Sequence, residues 1–195
     1  MNERPILESH WEYHVSPSIL EVFKKQAKQK IATEGWGKQG RNVDIKIRNF
    51  VQCWITEEAL KQILIREGKW FRYRGLYFGD AAGAGADFMV KIAGEEVSIG
   101  LRSINADYLH WKSVAYPDDR FREGKEKIAD YHVVCTQEAG KVCFLGAISK
   151  SDLLGNLERS AVKYSSKNQE KFRVVPLEEF SLEELQALWG KMEGT

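Results

Sequence analysis

The sequence predicts an α/β domain in which a mixed central sheet is flanked by helices. Three observations predict it. Apolar residues recur at helical spacing in two N-terminal stretches. Between residues 87 and 148, short apolar runs alternate with glycine-bearing turns, as strands do. A helix-capping signature then opens a last amphipathic segment. With 195 residues, 43% of them hydrophobic and 29% charged, one domain with a real core is expected.

The elements follow in order. Ile19, Val22, Phe23, Ala27 and Ile31 share a helical face, and Ser16-Pro17 supplies an N-cap and a first-turn proline, so a helix is expected over 18–31. Three glycines within 34–40 predict a loop, and 42–50 reads as helical. Thr56-Glu-Glu looks like the start of a separate helix, with Thr56 as cap, Ala59, Leu60, Ile63 and Leu64 as its apolar face, and Gly68 as its stop. A strand is expected over 70–78, then a small-residue loop over 79–85. Residues 87–92 and 97–104 form a hairpin about the turn Ala93-Gly94. A loop or short helix to Trp111 and a turn at 116–119 lead to a buried strand over 128–136. A turn over 137–140 returns the chain antiparallel over 142–148. Ser151-Asp152 opens a short helix, 172–175 is a last strand, and Ser181-Leu-Glu-Glu caps a C-terminal helix through Trp189.

Composition narrows the setting. The longest apolar runs are far short of the ~20 residues that cross a bilayer. The first ten residues carry early acids and no apolar stretch, so no secretory signal is expected. Cys53, Cys135 and Cys143 lack CxxC spacing, which fits a reducing, cytoplasmic setting and argues against structural zinc. Cys135 and Cys143 are expected to face each other across their hairpin as buried thiols. His10 and His14, four apart, lack the HExxH order of a zinc protease. The loop over 79–85 lacks the ending of a phosphate-binding loop and precedes a strand, so its glycines are expected to let the backbone pack beside Asp87.

The formal net charge is +1, but residues 24–48 hold eight Lys/Arg against two acids. Such a run suits either a solvated helix face or phosphate contact. Lys69-Trp-Phe-Arg-Tyr-Arg74 interleaves cations with aromatics, a composition suited to phosphate and base contact. Lys38, Arg41, Lys69, Arg72 and Arg74 are the candidate nucleic-acid contacts.

The segment Ala86 to Ile104 carries an Asp at a strand start, a hairpin and a return strand. It resembles the core of the PD-(D/E)XK, restriction-endonuclease-like nuclease superfamily. The resemblance implies a nuclease-like core over 54–148, an N-terminal helical extension over 1–50 and a C-terminal strand and helix over 149–195. It also implies magnesium held by carboxylates, a lysine that places the attacking water, and DNA as substrate. Asp87 matches the family's first acid, and Glu57 matches the acid that some members add from the preceding helix. A turn at 93–94 puts Asp87 across from Gly100, so Gly100-Leu101-Arg102 stands at the acid-x-Lys position. Gly100 has no ligand atom, and Arg102 replaces lysine with a group of different geometry. Glu96 shares the face of Gly100 but lies four residues nearer the turn, roughly 13 Å from the expected metal.

The candidate catalytic residues are therefore Asp87, Glu57 and Arg102, with Asp87 and Glu57 as metal ligands. The functional expectation is magnesium-dependent hydrolysis of DNA. The alternative is the same fold with catalysis lost, binding nucleic acid, a protein or a second copy of the chain; an unrelated α/β domain carrying a similar hairpin is a third reading. An acid introduced at position 100 is expected to be tolerated if that face opens onto a cleft.

Overall fold

A computed structural model describes residues 11–33, 43–76, 86–105, 109–110, 112–122, 128–165 and 170–195. They form a mixed α/β fold with one six-stranded and one three-stranded sheet. Strand β1 (Glu12–His14) is followed by helix α1 (Pro17–Thr33) and helix α2 (Val43–Arg66). Next come β2 (Phe71–Tyr73), β3 (Phe88–Ile92) and β4 (Glu95–Asn105). Then follow β5 (Ser113–Pro117), the short helix α3 (Asp118–Arg122), β6 (Tyr131–Glu138) and β7 (Lys141–Ser149). Helix α4 (Lys150–Arg159), β8 (Lys163–Ser165), β9 (Glu170–Pro176), a 3-10 turn (Leu177–Glu179) and α5 (Leu182–Lys191) complete the order.

The large sheet runs β1-β7-β6-β4-β3-β2, antiparallel except where β4 and β6 lie parallel. Strand alternation sends successive side chains to opposite faces. One face joins the helices: Val133 and Cys135 pack with Phe88, Val90 and Ile99 and with Trp54, Leu60 and Leu64 of α2. On the other face, Val134, Ile104 and Ile148 pack with Tyr116, Leu153, Leu157 and Val175. That second core is closed by the small antiparallel sheet β5-β9-β8, which was not expected from the sequence.

Local signals hold where their partners are also local. Ser16 Oγ accepts from the Ile19 N–H at 3.4 Å, and Ser181 Oγ accepts from the Glu184 N–H at 2.9 Å, so both caps form as expected. Ala93 and Gly94 take φ of 51° and 81°, a turn that pairs Phe88 with Ile99 and so brings Asp87 beside Gly100.

Several expectations are corrected. Thr56 does not cap a helix: α2 runs unbroken through it, and its hydroxyl donates back to the Gln52 carbonyl at 3.0 Å. Of the strand expected over 70–78, the described residues 70–76 hold strand only at Phe71–Tyr73, and 77–78 lie outside the described residues. The turn over 116–119 is instead the end of β5 and the start of α3. Cys135 lies opposite Phe144, and Cys143 opposite Thr136, so the two thiols do not face each other. Residues 34–40, 79–85 and His10 lie outside the described residues.

Residues 192–195 form a clasp. The Trp70 N–H donates to the Glu193 carbonyl, the Glu193 N–H to the Lys91 carbonyl and the Thr195 N–H to the Gly68 carbonyl, each at 2.9 Å. This segment therefore joins the start of β2 to the end of β3, and the Glu193 carboxylate accepts from the Gly94 N–H. Among the described residues, no helix is long and apolar enough to cross a membrane.

Candidate functional site

Asp87 and Glu57 meet at one corner of the large sheet, where β3 begins, while Arg102 lies on the neighbouring strand. Glu57 sits in the third-last turn of α2, not at a helix start. It is spaced three and seven residues before Leu60 and Leu64, on the stripe that faces the sheet, and its side chain is only 4% exposed. The Tyr73 hydroxyl donates to Glu57 Oε2 at 2.6 Å. Asp87 Oδ2 accepts from the Leu101 N–H at 2.8 Å, beside the glycine it was expected to oppose.

The residue that unites the corner is Arg74. Its Nη2 donates to Asp87 Oδ1 at 2.9 Å and lies 3.7 Å from Glu57 Oε1. Its backbone N–H also reaches the Asp87 carbonyl at 3.2 Å. Every oxygen of the two carboxylates thus faces a donor from the chain itself: Arg74 and Tyr73 for Glu57, Arg74 and Leu101 for Asp87. Arg102 lies with its guanidinium 4.6 Å from the centre of the Tyr116 ring.

The groups around the corner titrate accordingly. Burial pushes the Cys53 thiol up to about 12; the charges of Glu57 and Asp87 add to the rise, while Arg102 and Arg74 oppose it. Burial likewise raises the Tyr73 phenol above its ordinary range, and the Glu57 carboxylate beside it adds to the rise. Cys53 is therefore a protonated thiol rather than a reactive thiolate at neutral pH.

Position 100 does not open onto a cleft. A Cβ there would lie 3.1 Å from His132 Cε1 and 3.4 Å from Ala129 Cβ, so the open face on which an acid was expected to be tolerated is not present, and the His132 ring must shift by a few tenths of an ångström to admit a side chain. His132 is 2% exposed; its Nε2 accepts from the Ala129 N–H at 3.1 Å, and its Nδ1 lies 3.4 Å from the Tyr116 hydroxyl. Burial, aided by the Arg102 charge, lowers its pKa to about 3, so the ring is neutral across the physiological range. Nothing in the sequence around His132 marks it as the neighbour of Gly100, because that contact depends on the pairing of β4 with β6.

A magnesium ion would draw on several free carboxylate oxygens in near-octahedral order. The donors present do not fit it, since a guanidinium already stands between the two acids. Among the described residues, no group of three or more His, Cys, Asp or Glu is placed to hold a metal. Glu96 is far from the corner in function as well as register: it pairs with Arg72 at the exposed end of the hairpin.

The side chains of the basic-aromatic segment bond within the chain, Arg72 doing so at the surface. Lys69 Nζ donates to the Met192 carbonyl at 2.9 Å, and Arg72 pairs with Glu96. Lys91 lies 4.5 Å over the Trp70 ring, and Tyr73 stacks on Phe88 at 4.8 Å. Its cations and rings are thus engaged within the chain. Lys38 and Arg41 lie outside the described residues. On α1, by contrast, Lys25 and Lys28 are exposed and form no ion pair with any described residue, while Lys24 is tied to Glu21 at 2.7 Å. No protein-family model matches the chain, and no curated protein or solved structure matches it either.

Proposed function

We propose that this chain is a nuclease-like module that binds nucleic acid without hydrolysing it. The observation that carries the choice is the Arg74 guanidinium standing between Asp87 and Glu57, with all four carboxylate oxygens already facing donors. What supports the nuclease-like part is the layout itself: an acid on the preceding helix, an Asp where a hairpin strand begins, and Gly100-Leu101-Arg102 beside it on the return strand. What supports nucleic acid as partner is the solvent face of α1, where Lys25 and Lys28 are one turn apart and uncommitted. Such lysines neutralise phosphate and release counterions.

The test is fluorescence anisotropy with a labelled duplex at several salt concentrations, run alongside a cleavage assay in magnesium and in manganese. The expected result is binding that falls steeply with salt, a slope reduced by about 2 in Lys25→Ala/Lys28→Ala, and no cleavage. Metal-dependent cleavage that disappears in Asp87→Asn would restore the hydrolase reading. Absence of binding to DNA and RNA at low salt would redirect the search to a protein partner.

A further inference from the structure

We infer that Arg74 occupies the position a divalent cation would take between Asp87 and Glu57, and that the corner binds such a cation only when the guanidinium is absent. The inference rests on the reading above in treating these two residues as paired acids, and it adds what governs their access to metal.

Four observations carry it. One nitrogen, Arg74 Nη2, lies within 2.9 Å and 3.7 Å of oxygens from acids thirty positions apart in the chain, as a bridging cation would. The Glu57 side chain is 4% exposed and that of Asp87 21%, so the pair sits where carboxylates require a counter-charge. The acids are also aimed independently of Arg74. Tyr73 holds the far oxygen of Glu57, and the Leu101 N–H holds the far oxygen of Asp87, so both would keep their orientation without the guanidinium. Finally, Arg74 lies just beyond the last residue of β2 and before Gly75, whose φ is +97°. Its side chain can be changed without touching the three residue pairs that hold β2 to β3.

Among the described residues, two carboxylates face the vacated position, and water would supply further ligands. Two carboxylates with water are a common magnesium arrangement, though a weak one.

The experiment is a manganese titration of the full chain, read by calorimetry and by the electron paramagnetic resonance of free Mn²⁺. Wild type is expected to show no saturable binding up to about 1 mM. Arg74→Gln is expected to bind one Mn²⁺ about tenfold more tightly than wild type or better, and to gain thermal stability as metal is added. Asp87→Asn in that background should abolish both effects. Arg74→Lys, which returns a cation, should behave like wild type. If the glutamine variant does not fold, Arg74→Met keeps the aliphatic stem packed and takes its place. Saturable, Asp87-dependent binding by wild type overturns the inference, as does a folded Arg74→Gln or Arg74→Met that binds no better than wild type. The duplex-binding result is read separately and moves with Lys25 and Lys28, so either conclusion can fail while the other stands.

Discussion

Two basic stretches of similar composition end in opposite situations. In 69–74, Arg74 neutralises buried acids, Lys69 holds a carbonyl of the C-terminal clasp, and the rings of Phe71 and Tyr73 pack against the helix-side core. On α1, the lysines at 25 and 28 project into solvent. The difference teaches that a cation's role is set by its distance from buried counter-charge, which is a tertiary fact, and not by how many cations surround it in sequence. Desolvated charges are held by partners, whereas solvated ones remain available to a ligand.

The comparison can be broken most forcefully at Arg74. Arg74→Met leaves two carboxylates without their shared partner, so a loss of roughly 3–5 kcal/mol is expected by urea denaturation. A loss below about 1 kcal/mol would place Arg74 with the solvated cations.

Acid should act next on a buried group outside both stretches. His132, beside Gly100, has its folded pKa lowered from 6.5 to about 3. The unfolded chain therefore binds more protons in that window, and stability should fall as pH drops from about 6.5 toward 3. Thermal melts of wild type and His132→Gln measure this: the variant should lose that part of the pH dependence, and an unchanged profile would show that His132 is not its source.

Tyr73→Phe removes the hydroxyl that satisfies Glu57 Oε2. A cost of about 1–3 kcal/mol is expected, because a buried acceptor is left unpaired. The smallest effect in this segment belongs to Arg72, whose exposed pair with Glu96 should be worth under about 1 kcal/mol and should fade in salt. Lys25→Ala/Lys28→Ala should leave stability within about 0.5 kcal/mol of wild type while weakening duplex binding. A double variant that unfolds would remove the contrast between the regions.

How much of this was legible in the sequence follows the range of each interaction. The caps at Ser16 and Ser181 and the Ala93-Gly94 turn act over a few residues, and the hairpin register that sets Asp87 beside Gly100 follows from that turn. Glu57 left a trace that could have been read: an acid spaced from Leu60 and Leu64 on an apolar stripe is a buried acid. The Thr56 signal misled because a threonine before two glutamates looks like a cap whether its hydroxyl bonds forward or back to residue 52. Strands β1, β5 and β8 are three to five residues long and owe their existence to β7 and β9, so no local pattern announces them. The inward role of Arg74 has no local signal, because its acids lie seventeen positions before it and thirteen after it, and no periodicity connects them.

The contact between Gly100 and His132 makes those two positions one hereditary unit. Any side chain added at 100 meets the imidazole before it meets anything else, so a change there is conditional on what stands at 132. A single substitution to an acid at 100 encounters a steric barrier, while a prior reduction at 132 removes it. In a collection of diverged chains sharing this hairpin, acids at the first position should therefore travel with residues smaller than histidine at the second. A chain that has reached the Gly–His combination regains a side chain at 100 only if the imidazole shifts or residue 132 changes.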